Sequence, residues 1–156
     1  MSGKIRRAGP RDLDRVAALW TAIGAYHESL DPAFRMRPDA GDEIRELLRA
    51  TVRDPHSALL VCDDEGDLQG LCIVRIDRAP PILEETRRGE ITDLGVRESA
   101  RRRGIGTRLV DEALAWLGEA GVARVQVQVA APNAAAQAFW RARGFQNFMD
   151  VLHKRL

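Results

Sequence analysis

The stretch Glu90-Ile-Thr-Asp-Leu-Gly-Val-Arg-Glu-Ser-Ala-Arg-Arg-Arg-Gly-Ile-Gly-Thr-Arg-Leu109 decides the fold. Ile91 to Val96 is a short apolar strand, and Arg101 to Gly106 is a basic, glycine-bearing turn. Ile105, Leu109, Ala113, Leu114 and Leu117 then recur at helical spacing, which predicts an amphipathic helix from Gly104 to about Ala120. A helix start has unpaired N–H groups and the positive end of the helix dipole, so it suits a phosphate or pyrophosphate. Gly104 and Gly106 would let the backbone approach such a ligand with no Cβ in the way. Arg101, Arg102 and Arg103 add charge at the rim.

Downstream, Gly121 is the expected left-handed stop of that helix, and Val125, Val127 and Val129 alternate with Gln126 and Gln128 as a strand. Residues 90–130 therefore read as strand–helix–strand, a parallel pair with a right-handed crossover. Ligands of such sheets lie beyond the carboxyl ends of the parallel strands, where Val96 to Gly106 and Ala130 to Asn133 converge. Residues 133–143 form an alanine-rich helix closed by Gly144, and Phe148 to Leu156 reads as an edge strand or hairpin partner.

Upstream, Lys4 to Arg7 is a short strand. A helix begins at Pro10 or Arg11 with Leu13, Val16, Ala17, Trp20 and Ile23 on one face, and the chain turns irregular from Gly24. A second helix runs from Asp42, its expected N-cap, to Arg53, with Ile44, Leu47, Leu48 and Thr51 inward. Ala58 to Cys62 and Leu68 to Ile76 are strands joined by an acidic turn, and 77–89 is a loop. The sum is an α/β fold with a mixed, mostly antiparallel sheet and helices on both faces, in one domain over residues 1–156.

Composition narrows the function. A formal net charge of +1 gives no whole-molecule steering to nucleic acid or anionic lipid. No run approaches the about 20 apolar residues needed to span a bilayer, and the start lacks the apolar core of a signal peptide, so the expectation is a cytoplasmic protein. Cys62 and Cys72 sit in apolar runs and read as buried hydrophobes. His27, His56 and His153 are scattered, so no metal site is expected.

Arg101-Arg102-Arg103-Gly104-Ile105-Gly106 resembles the Arg/Gln-x-x-Gly-x-Gly/Ala pyrophosphate loop of the GCN5-related N-acetyltransferases, the GNAT superfamily. Ile91-Thr-Asp-Leu-Gly-Val96 resembles the strand that holds the pantetheine arm there, and Asn133 to Phe145 resembles the family's Asn…Ala…aromatic…Gly-Phe block. The resemblance implies acetyl-CoA as cosubstrate, with pyrophosphate on the backbone of Arg101, Arg102, Arg103, Gly104, Ile105 and Gly106 and a hydroxyl contact from Thr107. It implies main-chain contacts to the arm from Leu94, Gly95 and Val96, and cofactor contacts from Asn133 and Trp140. On structure alone Asn133 reads as an N-cap. A dinucleotide-binding reading fails, because Leu109 stands where the third glycine belongs.

The expected reaction is transfer of acetyl to a primary amine of a small molecule or peptide, by direct attack in a ternary complex. Glu90 opens the central strand where many such enzymes place a base; a solvated strand-end carboxylate is the other reading. Asp93 should point to the opposite face unless a bulge intervenes. Trp140 occupies the position of the family's usual tyrosine acid, and an indole N–H is no practical proton donor. Tyr26 is the substitute candidate, in the acceptor-side loop. The alternative that Trp140 keeps open is an acyl-CoA-binding sensor without useful transfer. Nucleic-acid binding through Arg101–Arg103 is disfavoured by the apolar-faced helix that follows. A homodimer through the terminal strands is common among similar proteins.

Overall fold

The computed structural model describes residues 3–156. Five strands lie side by side in chain order: β1 (Lys4–Arg7), β2 (Ser57–Asp64), β3 (Asp67–Arg78), β4 (Arg87–Val96) and β5 (Val125–Val127). Every pairing is antiparallel except β4–β5, which is parallel. The helices are α1 (Leu13–Leu30), α2 (Gly41–Arg53), α3 (Ile105–Glu119) and α4 (Ala134–Ala142). This is the mixed, mostly antiparallel α/β architecture that the sequence predicts.

Period-2 alternation divides the core between the two faces of the sheet. Leu59, Val61, Leu71 and Ile73 pack with Leu13, Val16, Leu19 and Leu48 of α1 and α2. Their neighbours Leu60, Cys62, Cys72 and Val74 pack with Leu109, Val110 and Ala113 of α3 and with Trp140 of α4. A strand buried on both faces needs an unbroken apolar run, which Ala58 to Cys62 supplies. Glu65 and Gly66, at φ 52° and 94°, make the two-residue β2–β3 turn whose twist matches the strands.

Five sequence expectations are corrected. The chain does not turn irregular at Gly24, because α1 continues to Leu30, where Asp31 and Pro32 follow. An isolated glycine only weakens a helix, whereas proline cannot continue one. Asp42 is not the N-cap of α2. Ala40 is, with no side-chain cap bond, and Asp42 lies in the first turn, 3.6 Å from Arg45. Leu47 points outward, being 61% exposed. Phe148 to Leu156 forms no strand and is exposed, and β5 stops at Val127, before Val129.

Buried Asp12 ties β1, α1 and the β2–β3 hairpin together. Arg6 donates to both of its oxygens at 2.8 Å, and Gly9 N–H (2.8 Å) and Arg15 (2.6 Å) add bonds. Arg6 also reaches Asp63 at 2.9 Å.

Candidate active site

The site is set by where β5 leaves β4. Gly89, Glu90 and Ile91 pair with Val125, Gln126 and Val127, and the ladder ends there. Leu94, Gly95 and Val96 are paired on their other side with Cys72, Leu71 and Gly70 of β3. Their β5-facing edge is therefore left as open main chain. The side chains of Leu94 and Val96 pack against the α3-side core. Gly95 faces the opposite way, and a Cβ there would fall 2.4 Å from Ile23 of α1, so α1 can cross β4 this closely only over glycine.

Beyond Val96 the chain makes a tight turn into α3. Arg102 (φ 64°) and Gly104 (φ 76°) both lie in the left-handed region. For arginine this costs about 1–2 kcal/mol, a strain typical of ligand-binding loops. Gly104 is the N-cap of α3 and has no side chain to cap with. The first helical hydrogen bond runs from Arg108 N–H to the Gly104 carbonyl at 3.1 Å. That leaves the N–H groups of Ile105, Gly106 and Thr107 outside the helical ladder.

These groups border a cavity of about 260 Å³, lined by Val96, Ala100, Arg101, Arg102, residues 104–107 and Phe139. Arg101 turns back and donates from Nε to the Val96 carbonyl at 3.2 Å. Arg102 and Arg103 stay exposed at the rim. The combination of oriented donors, positive charge and a shaped hollow can take a diphosphate.

Glu90 and Asp93 are brought to one face. Val74 of β3 pairs with Ile91 but Ile73 pairs with Asp93, so Thr92 is an extra residue on β4. This bulge is the exception that strict alternation left open, and it places the two carboxylates on one face. Both now face the α1–α2 side. The Trp20 indole N–H of α1 donates to Asp93 Oδ1 at 2.8 Å. Glu90 is 8% exposed and accepts from Arg75 at 3.3 Å. Arg75 also pairs with Asp77 at 3.1 Å.

Tyr26 lies on α1, not in a loop, one turn beyond Ile23 and 45% exposed. Its ring meets His27 edge-on at 6.2 Å. Among the described residues its hydroxyl has no hydrogen bond to Glu90 or to the loop. Trp140 is buried in the core between Phe139 and Phe145, at 5.1 and 4.9 Å between ring centroids. Asn133 caps α4, accepting from Ala136 N–H at 3.1 Å.

Sequence reasoning missed Phe139 and Arg143. Phe139 lines the cavity, Arg143 stacks over its ring at 4.9 Å, and Arg143 donates to the Thr107 hydroxyl. Helical phase beside Trp140 was the available signal for Phe139. Burial pushes the Cys72 thiol up to about 12, so it has no thiolate chemistry near neutrality. No group of His, Cys, Asp and Glu able to hold a metal occurs among the described residues, and no helix there is long and apolar enough to cross a membrane.

Residues 23–145 match the model of the Acetyltransferase (GNAT) family. The mycothiol acetyltransferase of Sanguibacter keddieii is 32% identical over 131 residues, 82% of this chain and 39% of that protein. The chain thus spans about two fifths of the length of the curated relatives it matches. A tetramutant of the BH1408 protein from Bacillus halodurans superposes with a TM-score of 0.87 at 22% identity, covering 98% of this chain and 99% of that one. A predicted acetyltransferase from Clostridium acetobutylicum, solved with acetyl-CoA, gives 0.77 at 14% identity, covering 97% and 95%. At these identities the structures bear on the fold alone.

Proposed function

The chain belongs to the acetyltransferase (GNAT) family, and from that premise we propose that it moves an acetyl group from acetyl-CoA to a primary amine in a ternary complex. Residues 1–156 act as one such domain, on a small-molecule or peptide amine, in the cytoplasm. The observation that carries the reading is the strand-to-helix turn at 96–107. Its unladdered N–H groups and left-handed Gly104 border a hollow at the end of β4, past the stretch of that strand that β5 leaves unpaired. Acetyl-CoA supplies an activated acetyl thioester. In this reading the amides of 101–106 and the Thr107 hydroxyl hold its pyrophosphate, and the open edge of Leu94, Gly95 and Val96 takes the pantetheine amides as an added strand would.

Glu90 is the proposed base. The attacking nitrogen must be neutral, and a carboxylate acting directly or through one water removes its proton. As the N–C bond forms and the C–S bond breaks, the electron pair leaves on sulfur. A free thiol has a pKa of about 8.5, so the thiolate can depart without a strong acid. That matters because Trp140 is packed in the core, and Tyr26 is the remaining hydroxyl candidate. Asn133 fixes the start of α4 beside the cofactor arm. The same burial of Trp140 supports a second reading, an acyl-CoA-binding sensor with little transfer.

Thiol release from acetyl-CoA across an amine panel separates the two. Acceptor-dependent release supports the transferase, and acetyl-CoA binding with no release by any amine supports the sensor. A homodimer through the exposed terminal segment belongs to the same proposal, and light scattering reads it directly.

A further inference from the structure

We propose that the acceptor carries an anionic oxygen group beside its amine, a carboxylate or phosphate, and that Arg88 grips it. This rests on the reading of Glu90 as the base. Register places Arg88 on the same face of β4 as Glu90, two residues away, opposite Asp77 of β3. Two residues along a strand are about 6.6 Å. That is within reach of a molecule as small as an amino acid when Glu90 works through a water.

The neighbouring cations on this face already have partners. Arg75 serves Asp77 and Glu90. Arg124 on the β5 side serves Glu85 at 2.6 Å and Gln126 at 3.3 Å. Arg88 makes no ion pair or hydrogen bond among the described residues, and its Nε is buried without an acceptor. Guanidinium stays charged and has donors only, so a buried, unanswered N–H is a costly feature that a ligand acceptor would remove. Its planar fork matches carboxylate and phosphate oxygens in pairs.

The chemistry along β4 is therefore ordered. Arg88 offers a cation, Glu90 a carboxylate, and after the bulge Asp93 offers a second carboxylate, bonded among the described residues to the Trp20 indole alone. An ammonium fits at Glu90 and Asp93, nearest the place where β5 departs. An anion fits at Arg88, one strand repeat back. A plain polyamine would set a cation against Arg88 and be disfavoured.

The test uses matched pairs in the presence of saturating acetyl-CoA for rates, or CoA for binding. One arm compares L-amino acids with their carboxamides, and the other compares amino-sugar phosphates with the parent amino sugars. The readouts are kcat/KM for thiol release and the thermal shift beyond CoA alone. The expected result is that one class of anionic amine exceeds its neutral twin at least tenfold. Arg88→Gln should erase that margin by losing the anionic twin while leaving the neutral one and the acetyl-CoA-induced shift unchanged. Neutral twins performing as well, both twins falling equally in Arg88→Gln, or no pair binding the CoA complex would overturn the inference. Failure of acetyl-CoA itself to bind would instead remove the cofactor reading beneath it.

Discussion

Glu90 and Gly106 are the residues on which the functional reading can be tested one atom at a time. Glu90→Gln keeps the shape and the bond from Arg75 but cannot take a proton. The expected result is a loss of about 100-fold in kcat, with the KM for acetyl-CoA unchanged. An unaltered kcat would return Glu90 to the role of a structural partner for Arg75. At Gly106 a Cβ would sit 3.7 Å from Phe139 and 3.8 Å from Val96, which is ordinary contact, but it would project into the cavity. Gly106→Ala should therefore leave the fold intact, with stability raised by up to about 1 kcal/mol from helix propensity. Acetyl-CoA affinity should fall at least tenfold. Calorimetry with and without the cofactor reads both, and unchanged affinity would move the ligand away from this helix start.

Among the elements, the bulged strand and the tied first strand matter most. The positions of β4, the turn and α3 were legible because apolar periodicity, glycine placement and basic charge all agree over 90–109. The bulge at Thr92 was not. A one-residue insertion has no composition signal when the residue is an ordinary β-former, and it shows only in the pairing with Ile73 and Val74. The extent of α1 was hidden for a related reason, since Gly24 looks like a breaker until Pro32 is found to be the true stop.

The Asp12 network also escaped the sequence, being assembled from β1, α1 and a distant hairpin. Its hydrogen bonds from Arg6, with help from Gly9 N–H, hold the Asp12 carboxyl well below the usual carboxylate range. A depressed folded pKa means stability that is present above the unfolded value of about 3.9 and is lost as pH falls below it. Asp12→Asn should cost about 2–3 kcal/mol at neutral pH, allowing for the part-exposed Arg6. It should also flatten the acid limb of the unfolding profile below about pH 4. A variant with wild-type stability and the same acid limb would show that the network is incidental.

At the scale of the whole molecule, two cores on opposite faces of one sheet hold a strand whose far half lacks a neighbour on one side. Rigid packing there, with Gly95 against Ile23, fixes the open edge, and the turn into α3 ends it at a set of free N–H groups. The central claim is that this edge and turn bind acetyl-CoA. The most direct measurement is the thermal unfolding of the wild type and of Gly104→Glu, with acetyl-CoA and with dephosphorylated pantetheine. At a hundred times its dissociation constant, acetyl-CoA should stabilise the wild type by about 2.7 kcal/mol. Pantetheine should give a smaller shift, and Gly104→Glu, whose carboxylate enters the anion site, should give none with acetyl-CoA. A wild type that does not respond to millimolar acetyl-CoA, or a variant that responds as strongly as the wild type, would contradict the account.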